Sequence, residues 1–291
     1  MTSPTRDGVT VVLPLRTAAD PTAVLSAWAE YLPKCGRAWQ LVVVADGVDV
    51  PEWDGATILR LETPMGYGAC VRKALTVVEH PLVLLAADDY LYTSSDLAKL
   101  LDRIDTPGDF PDPATDEWKP RLPDLVAGAR TGVPEPGVLK VFGAIFRGFC
   151  KLVLDLPLEP APGWYGLGET VKAWRAWLTF GVPLHDPQCG FKLVRKSLLE
   201  RFPIQCDGDF FHIELVAKAT FLTCMMDEVP LTPKPDGVPK SVWAKADKRV
   251  LWGKPKFAHR KEEPPAVQPS LVVASGSEHR SPEGTNENSQ G

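Results

Sequence analysis

The sequence predicts an α/β fold, a mostly parallel, doubly wound sheet with helices on both faces, and three observations carry that expectation. Short apolar runs of strand length alternate with segments of helical period along the N-terminal half. Several of those runs stop at a charged residue, as at Asp46, at Asp88-Asp89 and at Arg130. At 291 residues, with 44% hydrophobic and 24% charged side chains, the chain can bury one core of α/β type.

Taken in order, VTVVLPL (9–15) is the first buried strand, and Asp20-Pro21 then starts a helix with proline at its first position. QLVVVAD (40–46) is the second strand and TILRLE (57–62) a short third. The loop PMGYGACVRKAL (64–75) enters a helix through Gly66 and Gly68. Glycines at a strand-to-helix turn let the backbone approach a ligand, and a helix N-terminus favours an anion. The alternative is simply a tight turn. Leu82 to Ala87 is the fourth strand, stopping at Asp88 and Asp89 before a helix capped by Ser94 or Ser95 with Asp96 in its first turn. Residues 106–123, rich in Pro and Asp, read as an exposed loop, and DLVAGAR (124–130) is a fifth strand.

Ligands of open α/β sheets bind beyond the carboxyl ends of the strands, which is where Asp46, Asp88, Asp89 and Arg130 fall. Carboxylates there are hard oxygen ligands for Mg²⁺ or Mn²⁺, and such an ion commonly neutralises a diphosphate.

Further on, VLKVFGAIFRGFCKLVLDL (138–156) sets Val141, Ile145, Phe149 and Leu152 on one helical face, and VKAWRAWLTFGV follows with Trp174, Trp177 and Leu178. Interleaved aromatic and basic residues suit a membrane interface, whereas packing on the sheet is the plainer reading. DPQCGFKLVRKSLLERF (186–202) supplies a turn, a short basic strand and a helix. DFFHIELVAKATFL (209–222) reads as an amphipathic helix, and MMDEVPLTPKP (225–235) as a late strand. His185 and His212 each sit alone beside apolar residues and read as satisfied structural histidines. The folded domain is expected over 1–254 and a disordered tail over 255–291, with Pro, Ser, Glu, Asn and Gly dominating from Glu262.

A formal net charge of −5 offers no general attraction to nucleic acid or anionic lipid. The 6 cysteines are scattered, without a Cys-x-x-Cys pair or zinc spacing, which points to a reducing, cytoplasmic setting. The N-terminus does not read as a signal peptide, and no apolar run is long enough to span a membrane.

Over roughly residues 8 to 245 these segments resemble the family 2 glycosyltransferases, among them the dolichyl- and polyprenyl-phosphate mannose and glucose synthases. VTVVLPL looks like the opening strand, LVVVADG like the acid-ended nucleoside strand, and MGYGACVRKAL like the glycine loop and helix. LLAADDYLYTSSDL falls where the family has its Asp-x-Asp metal motif, DLVAGAR where it has Gly-Ser-Arg, and HDPQCGFKLVRK is similar to its Asp-x-x-x-Gly-Phe-Lys segment. DFFHIELVAKA and DEVPL resemble the helix and Glu-Val-Pro strand that close the catalytic domain.

The resemblance implies a glycosyltransferase A-type fold binding a nucleotide-diphosphate sugar of UDP-glucose or GDP-mannose type. It implies inverting hexosyl transfer, an acceptor such as a polyprenyl phosphate, and peripheral contact with the inner face of the cytoplasmic membrane. Asp46, Gly66, Gly68, Asp88 and Lys240 would then bind the donor, and Asp89 would hold Mg²⁺ or Mn²⁺. Arg130 would position the acceptor, with Arg147, Lys192 and Lys240 as helpers, and Asp186 would serve as base if the acceptor is a hydroxyl. Asp186 could equally cap the turn before Cys189-Gly190. The pattern departs at Ala87, at Ala45 and at Arg16-Thr17, which replaces the usual Asn-Glu. Those departures keep two alternatives in view: a degenerate nucleotide-sugar-binding protein, and a transferase acting on a soluble hydroxyl. A sugar nucleotidyltransferase would need a longer glycine-rich loop than PLRTAADP.

Overall fold

The computed structural model describes residues 6–16, 20–86, 92–111, 115, 117–130, 141, 145, 167–232, 253 and 255–258. Its centre is a 7-stranded sheet. In chain order the strands are β1 (Val9–Leu15), β2 (Trp39–Asp46), β3 (Ala56–Leu61), β4 (Leu82–Leu85), β7 (Leu125–Arg130), β8 (Lys192–Arg195) and β9 (Met226–Leu231). They lie side by side as β3-β2-β1-β4-β8-β7-β9, and β8 runs antiparallel to both of its neighbours while the other pairs are parallel.

Alternation along β1 shows how sequence makes the layers. Val9, Val11, Leu13 and Leu15 face one side, where they pack with Val24, Leu25 and Trp28 of α1 (Pro21–Tyr31) and Leu97, Leu100, Leu101 and Ile104 of α3 (Asp96–Asp105). Val12 faces the other side, with Tyr67, Val71 and Ala74 of α2 (Tyr67–Ala74) and the apolar residues of α6 (Phe211–Phe221). Burying each such Val or Leu contributes about 1.5–3 kcal/mol, so the period-2 pattern alone fixes strand facing. The helix start read at Asp20-Pro21 is present: Asp20 Oδ1 accepts from Ala23 N at 3.0 Å. At α3, Ser95 makes no side-chain cap, and Asp96 instead reaches back to accept from Thr93 N at 2.9 Å.

Three expectations change. Residues 106–123 contain an antiparallel ribbon, β5 (Gly108–Pro111) with β6 (Trp118–Arg121), whose β6 residues are all exposed. A two-stranded ribbon with solvated side chains carries no apolar period to betray it. α6 is not amphipathic but buried from Phe211 to Ala219 on every side, because it lies in the middle of one face of the sheet under α4 (Leu167–Phe180). Finally, the first residues of the expected tail are tied down. Lys256 N donates to Gln205 Oε1 at 2.7 Å, Ala258 N donates to Arg201 O at 2.9 Å, and the Phe257 ring lies 6.4 Å from that of Phe221. The rest of the tail lies outside the described residues.

Of the 138–156 face, Val141 and Ile145 are helical and exposed, so these two do not pack on the sheet; Phe149 and Leu152 lie outside the described residues. In α4, Ala173 and Ala176 are buried, Trp174 and Trp177 are half-buried, and Leu178 is exposed. No helix among the described residues is long and apolar enough to cross a membrane. Among them, Cys35, Cys70, Cys189, Cys206 and Cys224 are free thiols.

Candidate functional site

The sheet topology brings one end of every strand that carries polar chemistry to a single edge. Arg16 follows β1, Asp46 ends β2, Ala86 follows β4 and Arg130 ends β7. Because β8 is reversed, it is its first residue, Lys192, that reaches the same edge, level with Leu85. Asp88 and Asp89 come two and three residues after Ala86, outside the described residues, as does Lys240.

Asp46 is 4% exposed, and its carboxylate accepts from Met65 N at 2.6 Å and Gly66 N at 2.9 Å. Its observed work is to hold the glycine loop, which runs at φ 101° at Gly66. The glycines sit against a neighbouring loop of the protein itself. A Cβ on Gly66 would lie 2.7 Å from Asp207 O, and one on Gly68 would overlap Cys206 O. The close approach they permit within the protein is to the backbone of 206–208, and Ala69 N donates to Asp207 O at 3.1 Å across that contact. A sequence shows that a turn needs glycine, but it does not show which partner sits against it.

The 206–208 segment is fixed in turn by a buried pair on α6. Lys218 and Glu214, each 0% exposed, pair at 2.6 Å. Glu214 accepts from Gln205 N and Cys206 N, both at 2.8 Å, while Lys218 Nζ donates to Pro203 O and Gln205 Oε1, also at 2.8 Å. This pair holds the wall of the glycine turn.

Arg130 and Asp186, 56 residues apart in sequence, form a buried fork. Nε donates to Oδ2 at 2.5 Å, Nη2 to Oδ1 at 2.7 Å, and the Arg130 backbone N to Oδ2 at 3.2 Å. Burial opposes the Arg130 charge, but the Asp186 carboxylate more than offsets it, and the guanidinium pKa is raised. Asp186 is therefore occupied as a counter-ion and is not a free general base. Glu228 of β9 fixes the same turn, accepting from Asp186 N and His185 N, both at 2.8 Å.

Lys192 is 0% exposed and donates to the Cys189 carbonyl. Burial lowers its pKa to about 8. The neighbouring Cys189 thiol donates to Tyr92 Oη at 3.1 Å and is pushed by burial up to about 11, which makes it inert.

Two residues at this edge had no role in the sequence reading. Arg16 pairs with Asp209 at 2.6 Å and lies over the Tyr67 ring at 5.5 Å. Tyr67 Oη donates to Ala86 O at 3.1 Å, and the Tyr67 ring lies 4.4 Å from that of His212. His212 is 7% exposed, and its Nδ1 is buried without a hydrogen-bond partner, contrary to the satisfied structural histidine expected. Burial, with Lys192, Arg16 and Arg130 adding to it, holds its pKa well below 6.5. The only sequence signal for this pair was the replacement of Asn-Glu by Arg16-Thr17.

Among the described residues no three His, Cys, Asp or Glu side chains converge as metal ligands. Asp46, Asp186, Asp209 and Glu228 are all engaged with donors of the protein itself. Asp88 and Asp89, which follow Ala86 in sequence, lie outside the described residues.

No protein-family model and no curated protein sequence matches this chain. Solved structures do. Glucosyl-3-phosphoglycerate synthase from Mycobacterium tuberculosis, in complex with Mg²⁺ and UDP, aligns at TM-score 0.50 with 16% identity, over 80% of this chain and 73% of that one. The same synthase with Mn²⁺, UDP and phosphoglyceric acid aligns at TM-score 0.49 and 16% identity, over 80% and 72%. At such identity the likeness is one of fold: a single glycosyltransferase A-type α/β domain with a mostly parallel sheet.

Proposed function

We propose that this chain is a hexosyltransferase that takes its sugar from a nucleotide-diphosphate donor bound at the carboxyl edge of β1, β2 and β4. One observation carries the proposal. In a fold shared with a UDP-binding synthase, the loop-holding Asp46, the Arg16–Tyr67 stack and the buried cations Arg130 and Lys192 meet at that edge. Positive charge fixed behind that edge suits a diphosphate, whose negative charge grows as the glycosidic bond breaks. Mg²⁺ or Mn²⁺ held by Asp89, with Asp88 beside it in sequence, would supply further neutralisation of the leaving diphosphate. Attack opposite that leaving group inverts the anomeric centre.

The locked Arg130–Asp186 fork bears on the acceptor. With Asp186 held in that fork, an acceptor whose nucleophilic oxygen is already anionic is favoured, and a phosphate is the obvious class. A polyprenyl phosphate at the inner face of the cytoplasmic membrane is the specific form we propose. Exposed Val141, Ile145 and Leu178 support it, whereas a soluble phosphorylated acceptor needs no such surface. A second reading, a binding protein without turnover, is favoured by the same engagement of Asp46 and Asp186.

Calorimetry with UDP-glucose and GDP-mannose, each with and without Mn²⁺, followed by transfer assays to polyprenyl phosphate in anionic liposomes and to phosphoglyceric acid, separates these. Metal-stimulated binding with transfer is expected, and Asp89→Ala should abolish transfer while leaving the melting temperature within about 2 °C. Binding without transfer to either acceptor would select the non-catalytic reading, and no binding at all would end the donor-site assignment.

A further inference from the structure

We propose, resting on the donor site above, that His212 is a ligand contact whose Nδ1 is reserved for a phosphate oxygen of the bound nucleoside diphosphate. The argument begins with an unmet requirement. Buried polar atoms in folded proteins almost always have a partner, and leaving one without is destabilising. His212 Nδ1 is such an atom, on a ring that is 7% exposed and packed on two aromatic faces. Tyr67 lies 4.4 Å away and tilted, and Phe211 lies 5.7 Å away edge-on. Those contacts would serve a phenyl ring equally well. Packing therefore explains why an aromatic residue stands here, and not why it is histidine.

The surroundings identify the missing partner by charge. Arg16 comes from the end of β1, Arg130 from the end of β7 and Lys192 from the start of β8, and all three act on the imidazole as positive charges. Asp209, just before α6, is taken by Arg16, and Tyr67 of α2 is taken by the Ala86 carbonyl. No acceptor on these elements is directed to Nδ1. Arg16 and Arg130 already face Asp209 and Asp186, whereas Lys192 donates to a carbonyl, so its charge is the one that an anion would balance, and a phosphate oxygen can accept from an Nδ1–H. Because burial and those cations keep the ring neutral, it can donate without adding a further charge that would need burying. Arg16, part-exposed at 27% of its side chain, lies one ring away over Tyr67.

The test compares three replacements, His212→Phe, His212→Asn and His212→Gln, by calorimetry with UDP, GDP and inorganic pyrophosphate and by thermal melting. Asparagine puts an amide nitrogen near the Nδ1 position, glutamine puts one near Nε2, and phenylalanine keeps only the ring. We expect His212→Phe and His212→Gln to bind about tenfold more weakly, with His212→Asn within about threefold of the wild type. His212→Phe should also melt at the same temperature as the wild type or higher, because it removes an unpaired buried atom. Two-bond ¹H–¹⁵N correlation of the wild-type imidazole should show Nδ1 shifting when pyrophosphate is added. Wild-type binding with undiminished affinity in His212→Phe would overturn the role of His212 and leave the donor site standing. A parallel loss of stability in both His212→Phe and His212→Asn would mark the histidine as structural and overturn it too. A wild type that binds none of the three probes would remove the donor site, and this inference with it.

Discussion

Helix α6 carries two buried polar groups less than two turns apart that have been treated in opposite ways. At Lys218 and Glu214 the hydrogen bonding is complete: an ion pair, two backbone N–H groups and two further oxygens satisfy both side chains. At His212 a ring nitrogen is left without a partner. The first arrangement holds a loop and nothing is left over. The second costs stability that the rest of the core must offset, a cost that the ligand contact proposed for His212 would account for. Burial alone would not have told these groups apart; completeness of pairing does.

The comparison can be broken most forcefully at Lys218. Lys218→Met leaves Glu214 charged and buried, and should cost about 3–5 kcal/mol in urea unfolding. Glu214→Gln combined with Lys218→Met, which keeps a carbonyl oxygen for the 205–206 backbone, should cost clearly less. A loss under about 1 kcal/mol in the single variant would mean that the pair is not what holds this wall.

Lys192 sharpens the same contrast through pH. Its folded pKa of about 8 lies below the 10.5 of the free side chain. Between those values the unfolded chain keeps a proton that the folded chain has released, so stability attributable to this group rises with pH across the window. Relative to Lys192→Met, the wild type should gain about 3 kcal/mol from pH 8 to 10.5, read as the difference between two denaturation series. A flat difference would show that Lys192 is not shielded as described.

Gly68→Ala comes next. The added methyl meets Cys206 O, so α2 or the 206–208 backbone must shift, at about 1–3 kcal/mol by chemical denaturation. Donor affinity should fall with it, since Asp46 anchors the same turn. The smallest effect is expected from ending the chain after Ala258, within about 0.5 kcal/mol, because we propose that the folded domain needs nothing beyond it. Ending it after residue 254 should cost more, through loss of the Phe257–Phe221 contact.

Much of the fold was legible because β1, β2, β4 and β7 are short apolar runs with charged ends, and period and length are local properties. The strand ends at Asp46 and Arg130 and the start of α1 at Asp20-Pro21 could be read for that reason. What stayed hidden was long-range. Nothing local in DPQCGFKLVR states that its strand would run backwards between β4 and β7, nor that Asp186 would be taken by Arg130 from 56 residues away. The glycines were read as a close approach, and the packing of the 206–208 backbone against them was not visible in the sequence. His212 was missed because a histidine among apolar residues looks the same in sequence whether or not its nitrogens are paired.

The reversal of β8 also bears on how this architecture can vary. β7 leaves the sheet at Arg130 and β8 enters it at Lys192, both at the crevice edge. The chain between them departs from and returns to one rim, as a very long hairpin would, and owes the sheet no crossover. Its length can therefore grow or shrink ahead of α4 without changing strand order, provided that α4 still covers α6 and Asp186 still meets Arg130. If the proposed transferase activity holds, selection acting on that stretch alone would be able to exchange one acceptor for another while β1, β2 and β4 stay unaltered.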